Sequence, residues 1–140
     1  MSNESFQISV YLKGDHIDPE QISRLLMVES DRAHKKGKRW TTKSGAEVVE
    51  KTGIWVLSFK GEAIEGIGSA IASIAQRLLR ADVDLDRLPG VEIAYVDLLV
   101  LVEANEEGGG DCAFQLDVTS ISALAELGLP FEFTAAVVAA

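Results

Sequence analysis

Five apolar residues recur at steps of three and four near the middle of the chain, over more than two heptads. This spacing puts them on one face of an α-helix and predicts a helix over residues 64–79. Segments rich in β-formers precede and follow this helix, so its apolar face can be buried against a sheet of the same chain. The stripe consists of Ile64, Ile67, Ile71, Ile74 and Leu78.

A strand and a capped helix are predicted at the start of the chain. Apolar and polar residues alternate over residues 6–12, which predicts a strand with one buried face. Asp18 and Pro19 then stand at the N-cap and the first helical position of a helix that we expect to end near Glu29. The buried side of the strand comprises Phe6, Ile8, Val10 and Leu12.

Three more strands are predicted in the second half of the chain. Residues 54–59 are mostly apolar, which is typical of a strand that is covered on both faces and lies centrally or nearly so in its sheet. Residues 91–102 are long, apolar and β-branched, and the glycine-rich segment 105–110 follows them. We therefore predict a hairpin in which residues 112–118 form the returning strand.

A short helix and a last strand complete the chain. Thr119 and Ser120 are predicted to cap this helix, and Gly128 to end it. A final strand is predicted over residues 129–138. The element order β-α-(β)-β-α-β-β-α-β predicts a single α+β domain over residues 1–140, with helices packed on one face of a mostly antiparallel sheet.

The composition argues against several classes of function. A net charge of −9 repels a phosphate backbone, and no apolar run approaches the roughly 20 residues of a membrane helix. We therefore expect neither a nucleic-acid nor a membrane partner. A single cysteine, Cys112, and an N-terminus without a cationic flank or an apolar region predict a protein of the reducing cytoplasm.

Lysine and arginine are concentrated between Arg32 and Lys51. Seven cations and two carboxylates give this stretch a net charge of +5, while the six cations and 20 carboxylates of the remaining chain give −14. We predict a basic, mobile loop at residues 30–52, with a short edge strand at Val48 and Val49. The loop is either a grip for an anionic partner or a solvated connection. Its candidate partner-binding residues are Lys35, Lys36, Lys38, Arg39 and Trp40, the last being either an exposed anchor or packed against the sheet edge.

Residue patterns for cofactors and metals are incomplete. Gly66 and Gly68 resemble the start of a dinucleotide-binding loop, but Ile71 occupies the position of its third glycine. The aspartates of residues 82–86 resemble a calcium loop, but Arg87 stands where that loop needs glycine. The two histidines and the cysteine do not occur at zinc-ligand spacing. We therefore predict no cofactor, no metal site and no catalytic constellation.

One carboxylate interrupts the apolar segment 91–102. Asp97 is in phase with the apolar and aromatic residues around it, which predicts a carboxylate on a largely buried face. Such a group needs a partner or a shifted pKa. A structural salt bridge or a bulge would explain it, and Asp97 is also the one residue that we would test as a catalytic group. The residues in phase with it are Ile93, Tyr95, Leu99 and Leu101.

Several short sequence segments resemble the corresponding segments of the bacterial domain-of-unknown-function family 4279. They are the strand and capped helix of residues 6–26 with Asp18-Pro19-Glu20, the strand of residues 53–58, the helix end of residues 76–79, and the closing residues 121–131. The resemblance implies a small α+β protein without assigned catalytic residues, in a group similar to the immunity proteins of bacterial toxin systems. The basic loop departs from the family pattern.

These observations favour a non-enzymatic cytoplasmic interaction protein. Its acidic surface would complement a cationic toxin if it acts as an immunity protein. The alternative is a small-ligand binder or an enzyme with a pocket between the second helix and the sheet, walled by Asp97 or Trp55. A homodimer formed by edge pairing of strands is compatible with either reading.

Overall fold

Strand β1 (Glu4–Gly14) pairs on both of its sides along nearly all its length in the computed structural model, which describes residues 4–139. Its neighbours β5 (Gly53–Gly61) and β6 (Ile93–Glu103) both run antiparallel to it. β2 (Arg32–His34) pairs antiparallel with β5, and β7 (Phe131–Val138) pairs parallel with β6. The sheet order β2-β5-β1-β6-β7 confirms a mostly antiparallel sheet.

The helices pack on one side of this sheet. α2 (Ile67–Leu79) follows a 3₁₀ turn over Ile64–Gly66, and together they bury the predicted stripe to 0–6% exposure. α3 (Val118–Glu126) packs against α2, and α1 (Pro19–Leu26) packs against β5. The four predicted core residues of β1 are at most 4% exposed and face these helices. The α+β fold with helices on one face is therefore confirmed.

A buried tryptophan joins α1 to the sheet. Asp18 caps α1 as predicted, because its Oδ1 accepts the N–H of Glu20 at 3.2 Å. On the inner side of α1, Ser23 Oγ accepts the indole N–H of Trp55 at 3.0 Å, and Trp55 has no exposed surface. This bond satisfies the polar atom of an otherwise apolar side chain. α1 ends at Leu26, three residues before the expected Glu29.

The predicted hairpin after β6 does not form. Residues 112–117 have no strand partner, although Cys112, Phe114 and Leu116 are half-buried while the residues between them are exposed. The alternation thus correctly indicated one-sided burial, but it carries no information on backbone pairing. β7 takes the place beside β6 instead, and α3 lies in the crossover between these two parallel strands.

The start of α3 also differs from the prediction. Asp117, and not Thr119 or Ser120, is the N-cap, and its carboxylate accepts the N–H of Ser120 at 2.8 Å. This bond and the Ser120 hydroxyl lower the pKa of Asp117. Ser120 serves the contact between helices, because its Oγ donates to the carbonyl of Gly68 at 3.2 Å. At the other end, Gly128 follows the helix with φ of 68°, as predicted.

The segment predicted as a basic loop contains three short strands. β2 belongs to the main sheet and forms its edge, whereas β3 (Arg39–Thr41) and β4 (Glu47–Val49) pair with each other in a separate hairpin. The expected edge strand at Val48 is therefore one arm of this hairpin. Among the described residues, no helix has the length and apolar character needed to cross a membrane.

The Trp55–Ser23 hydrogen bond yields a stability prediction. Ser23→Ala leaves a buried indole N–H without an acceptor, which costs about 1–3 kcal/mol of unfolding free energy. Urea unfolding followed by circular dichroism measures the loss. The control Ser69→Ala removes an exposed hydroxyl from α2 and should leave stability nearly unchanged. Equal stability of the two variants would contradict the role given to this bond.

Candidate functional site

The sheet has one face that the helices leave uncovered, which we call the open face. It carries the residues of each strand that alternate with the core residues. Across the sheet these are Arg32 and His34 on β2; Ile54, Val56, Ser58 and Lys60 on β5; Ser5, Gln7, Ser9, Tyr11 and Lys13 on β1; Ile93, Tyr95, Asp97, Leu99, Leu101 and Glu103 on β6; and Glu132, Thr134, Ala136 and Val138 on β7.

An aromatic and cationic cluster lies near one end of the open face. Tyr11 and Tyr95 are direct partners in the β1–β6 ladder, and their rings stack with centroids 5.0 Å apart and an interplanar angle of 15°. Lys13 Nζ lies 5.2 Å and 5.1 Å from the two centroids. Stacking and cation–π attraction hold these three side chains in place, so they offer a preorganised contact surface.

Hydroxyl and amide groups occupy the middle of the open face. Ser9 Oγ and Ser58 Oγ are hydrogen-bonded across β1 and β5 at 2.8 Å, and Gln7 Nε2 lies within 3.5 Å of both oxygens. Ser9 is only 1% exposed, so its hydroxyl has exchanged water for these partners. The small serines leave room at the surface, and Tyr11 and Lys60 border that space.

Asp97 lies beside this polar group, on the open face. It pairs in register with Ser9 on one side and Glu132 on the other. Partial burial raises the pKa of the Asp97 carboxyl, and the negative charge of Glu132 raises it further. The expectation that this phase of β6 is the largely buried one was wrong, because Val96, Leu98, Val100 and Val102 fill the helix side. Within residues 4–139, no cation forms an ion pair with Asp97.

Two open depressions lie on this face. One, of about 390 Å³, is lined by residues that include Tyr11, Arg32 and Ser58. The other, of about 420 Å³, is lined by residues that include Leu99 and Leu101. Gln7 and Lys60 line both. The lining therefore differs between the two depressions: leucine side chains contribute to the larger one, and polar side chains to the smaller one.

The space between α2 and the sheet is filled by side chains. Trp55, Ile71 and Ile74 there are at most 2% exposed, and Asp97 lies on the opposite side of the sheet. The pocket predicted between the second helix and the sheet is therefore not formed by these residues. Trp55, a candidate wall residue of that pocket, helps instead to fill the core.

Three of the four cations among the predicted partner-binding residues already have carboxylate partners in this chain. Lys36 Nζ lies 3.2 Å from Asp15, and Arg39 lies 3.0 Å from Glu47. The lysine lowers the pKa of the Asp15 carboxyl, with help from Thr52. Lys35 Nζ is 4.0 Å from Asp18. The two lysine contacts connect the segment between β2 and β3 to the turn between β1 and α1, whereas the Arg39–Glu47 pair joins the two strands of the hairpin.

Trp40 is exposed, yet its indole N–H is held by a hydrogen bond. Its ring is 45% exposed, while its indole N–H donates to Glu50 Oε1 at 2.8 Å. Glu50 Oε2 lies 3.2 Å from Nε2 of His34, which belongs to the open face. Two of the five predicted partner-binding residues can still contact a partner. Trp40 offers the exposed part of its ring, and Lys38 offers its exposed ammonium group, because no carboxylate within residues 4–139 forms an ion pair with it.

Comparison with known proteins gives one match. The family described as "Domain of unknown function (DUF4279)" matches residues 4–138. No curated protein and no solved structure matches the chain.

The position of Asp97 predicts a pH dependence of stability. Its raised pKa means that the folded protein holds this proton more tightly than the unfolded chain does. The carboxyl therefore contributes stability at low pH that is lost as the pH rises from about 4 towards neutrality. Asp97→Asn removes this loss, so its unfolding free energy relative to the parent protein should increase over that range.

Urea unfolding at a series of pH values measures the difference. Asp86→Asn is the matched control, because Asp86 is an exposed carboxylate outside the sheet. A difference between Asp97→Asn and the parent that stays constant with pH would show that the local environment of Asp97 does not favour its protonated form.

Proposed function

This chain belongs to the DUF4279 family, and we propose that it is a non-enzymatic interaction protein whose open face binds another protein. The observation that carries the proposal is the Tyr11–Tyr95 stack with Lys13 above it, on a sheet face without a covering helix. Tyrosine is enriched at the centres of protein interfaces, where a rigid amphipathic ring gives contact area at low entropic cost.

The dimensions of the open face suit a protein better than a small molecule. Five strands about 4.8 Å apart, with up to 11 residues rising about 3.3 Å each, give it an area of roughly 700 Å². A standard interface takes about 800 Å² from each partner. A small ligand, in contrast, binds where a cleft encloses most of its surface, and both depressions on this face are open.

One place on the open face, the Asp97–Glu132 pair, favours a basic group of the partner, whereas Lys13, Arg32 and Lys60 lie elsewhere on the same face. Outside residues 32–51 the chain carries a net charge of −14. On the face itself, Asp97 and Glu132 lie side by side without a cation from the described part of the chain. A basic group of a partner would offset the negative charge of this pair and lower the raised pKa of Asp97.

A cationic bacterial toxin is the partner class that we put first. In this reading the protein is an immunity protein of the bacterial cytoplasm, and its single cysteine suits a reducing compartment. The hairpin would contribute at the rim through Lys38 and Trp40. The contact chain from Trp40 through Glu50 to His34 connects the hairpin to the open face.

The test begins with capture of a partner from a native lysate of the source organism and continues with affinity measurements on the purified pair. We expect Tyr95→Ala to weaken binding about tenfold or more, as truncation of an aromatic anchor buried in an interface does. Tyr95→Phe, which keeps the ring, is the control and should bind nearly as well as the parent. Raising the salt concentration should weaken binding if a basic partner meets Asp97 and Glu132.

Two results would refute the proposal in different ways. If Trp40→Ala abolished binding while Tyr95→Ala bound normally, the hairpin and not the open face would be the site. If a metabolite were turned over and Asp97→Asn abolished that turnover in a folded protein, the protein would be an enzyme. For the toxin reading specifically, co-expression with the captured partner should protect cells, and the Tyr95→Ala variant should not.

A further inference from the structure

One edge of the sheet is free along a whole strand. β7 bonds to β6 through its even-numbered residues, since the carbonyls of Pro130 and Val138 accept from Val96 and Ala104 at 2.8 Å. The N–H and C=O groups of the residues between them therefore point away from the sheet. Within residues 4–139, no strand pairs with that outer side. The outward residues are Phe131, Phe133, Ala135 and Val137.

The side chains of β7 make this edge apolar. Phe131, Phe133 and Val137 are 40–48% exposed and share the helix side of the sheet with the core residues of β6. Phe114 stacks on Phe133 with ring centroids 5.7 Å apart. Glu132 is the single charged residue of the strand, which contains neither lysine nor proline. An edge of this kind is a template for another strand.

The opposite edge of the sheet is protected. β2 is only three residues long, so part of β5 extends beyond it. There the N–H of Ser58 has no strand partner on that side and donates instead to Asp31 Oδ2 at 2.7 Å. Lys60 places a charge further along β5. Short strands, side-chain capping and lysine all discourage edge pairing. The two edges of one sheet thus differ, and β7 is the one left able to pair.

We propose that β7 pairs antiparallel with β7 of a second copy, which joins two sheets into one of ten strands. A second copy is the partner that we propose because the sequence of β7 is complementary to itself when two copies run antiparallel. With Thr134 opposite Thr134 of the partner copy, Phe131 lies opposite Val137 and Phe133 opposite Ala135, so all four outward residues form hydrogen-bonded pairs. In the same register Glu132 meets Ala136 and not a second carboxylate.

This pairing would also bury apolar surface. Phe131 of each copy meets Val137 of the other on the helix side, and both are exposed in the single chain. The contact is isologous, so it closes at two copies and does not continue into a fibre. The proposal does not depend on the proposed function, because β7 pairing leaves both copies of the Tyr11–Tyr95 cluster uncovered.

Sedimentation velocity over a range of concentrations tests the assembly. We expect a dimer for the full chain, a monomer for Ala135→Pro, and a dimer for the control Ala135→Ser. Proline removes one outward N–H and is tolerated on an edge strand, whereas serine keeps the N–H. Circular dichroism and urea unfolding verify that the proline variant is folded. A monomeric parent protein, or a folded Ala135→Pro variant that still dimerises, would overturn the proposal.

Cross-linking tests the register without relying on the proline variant. In a Cys112→Ala background, Thr134→Cys places two thiols opposite each other in a non-hydrogen-bonded pair, where Cβ atoms approach to about 4.5–5.5 Å. We expect this variant to form an intermolecular disulfide under mild oxidation. Glu132→Cys is the matched control, since its thiol would face Ala136 of the partner copy. Equal cross-linking of the two variants, or none by Thr134→Cys, would refute the register.

Discussion

The pairing of β1 on both of its sides determines the rest of the molecule. Successive residues of a strand point to opposite faces of the sheet, so β1 contributes a different set of side chains to each face. The apolar set, from Phe6 to Leu12, receives the helices and builds the core. The other set aligns Ser9 with Ser58 and Tyr11 with Tyr95, and thereby assembles the open face.

Elements whose signal lies within a few neighbouring residues could be predicted from the sequence. The apolar stripe of α2, the alternation in β1 and the Asp18 cap of α1 are of this kind, and all three are confirmed. The partner of an extended segment is not encoded locally. Residues 112–117 show the alternation of a strand without pairing, while β7 takes the position next to β6 from farther along the chain.

The candidate site was less accessible to prediction for the same reason. Tyr11 and Tyr95 are 84 positions apart, and only the β1–β6 register shows that their rings meet. Asp97 is the one carboxylate inside an apolar segment of the sequence, but its phase alone does not distinguish the covered face from the open one. Counting charges identifies residues 32–51 as basic but predicts a loop there, whereas the β3–β4 pairing and the partners of Lys36 and Arg39 depend on folded geometry.

The two tryptophans differ completely in their surroundings. Trp55 is fully buried in the core and donates its N–H to Ser23, whereas Trp40 is half-exposed at the hairpin and donates its N–H to Glu50. Indole fluorescence shifts to shorter wavelength when water is excluded, so we expect Trp55 to emit at shorter wavelength than Trp40. The chain therefore contains its own pair of optical reporters, one for loss of the core and one for events at the hairpin.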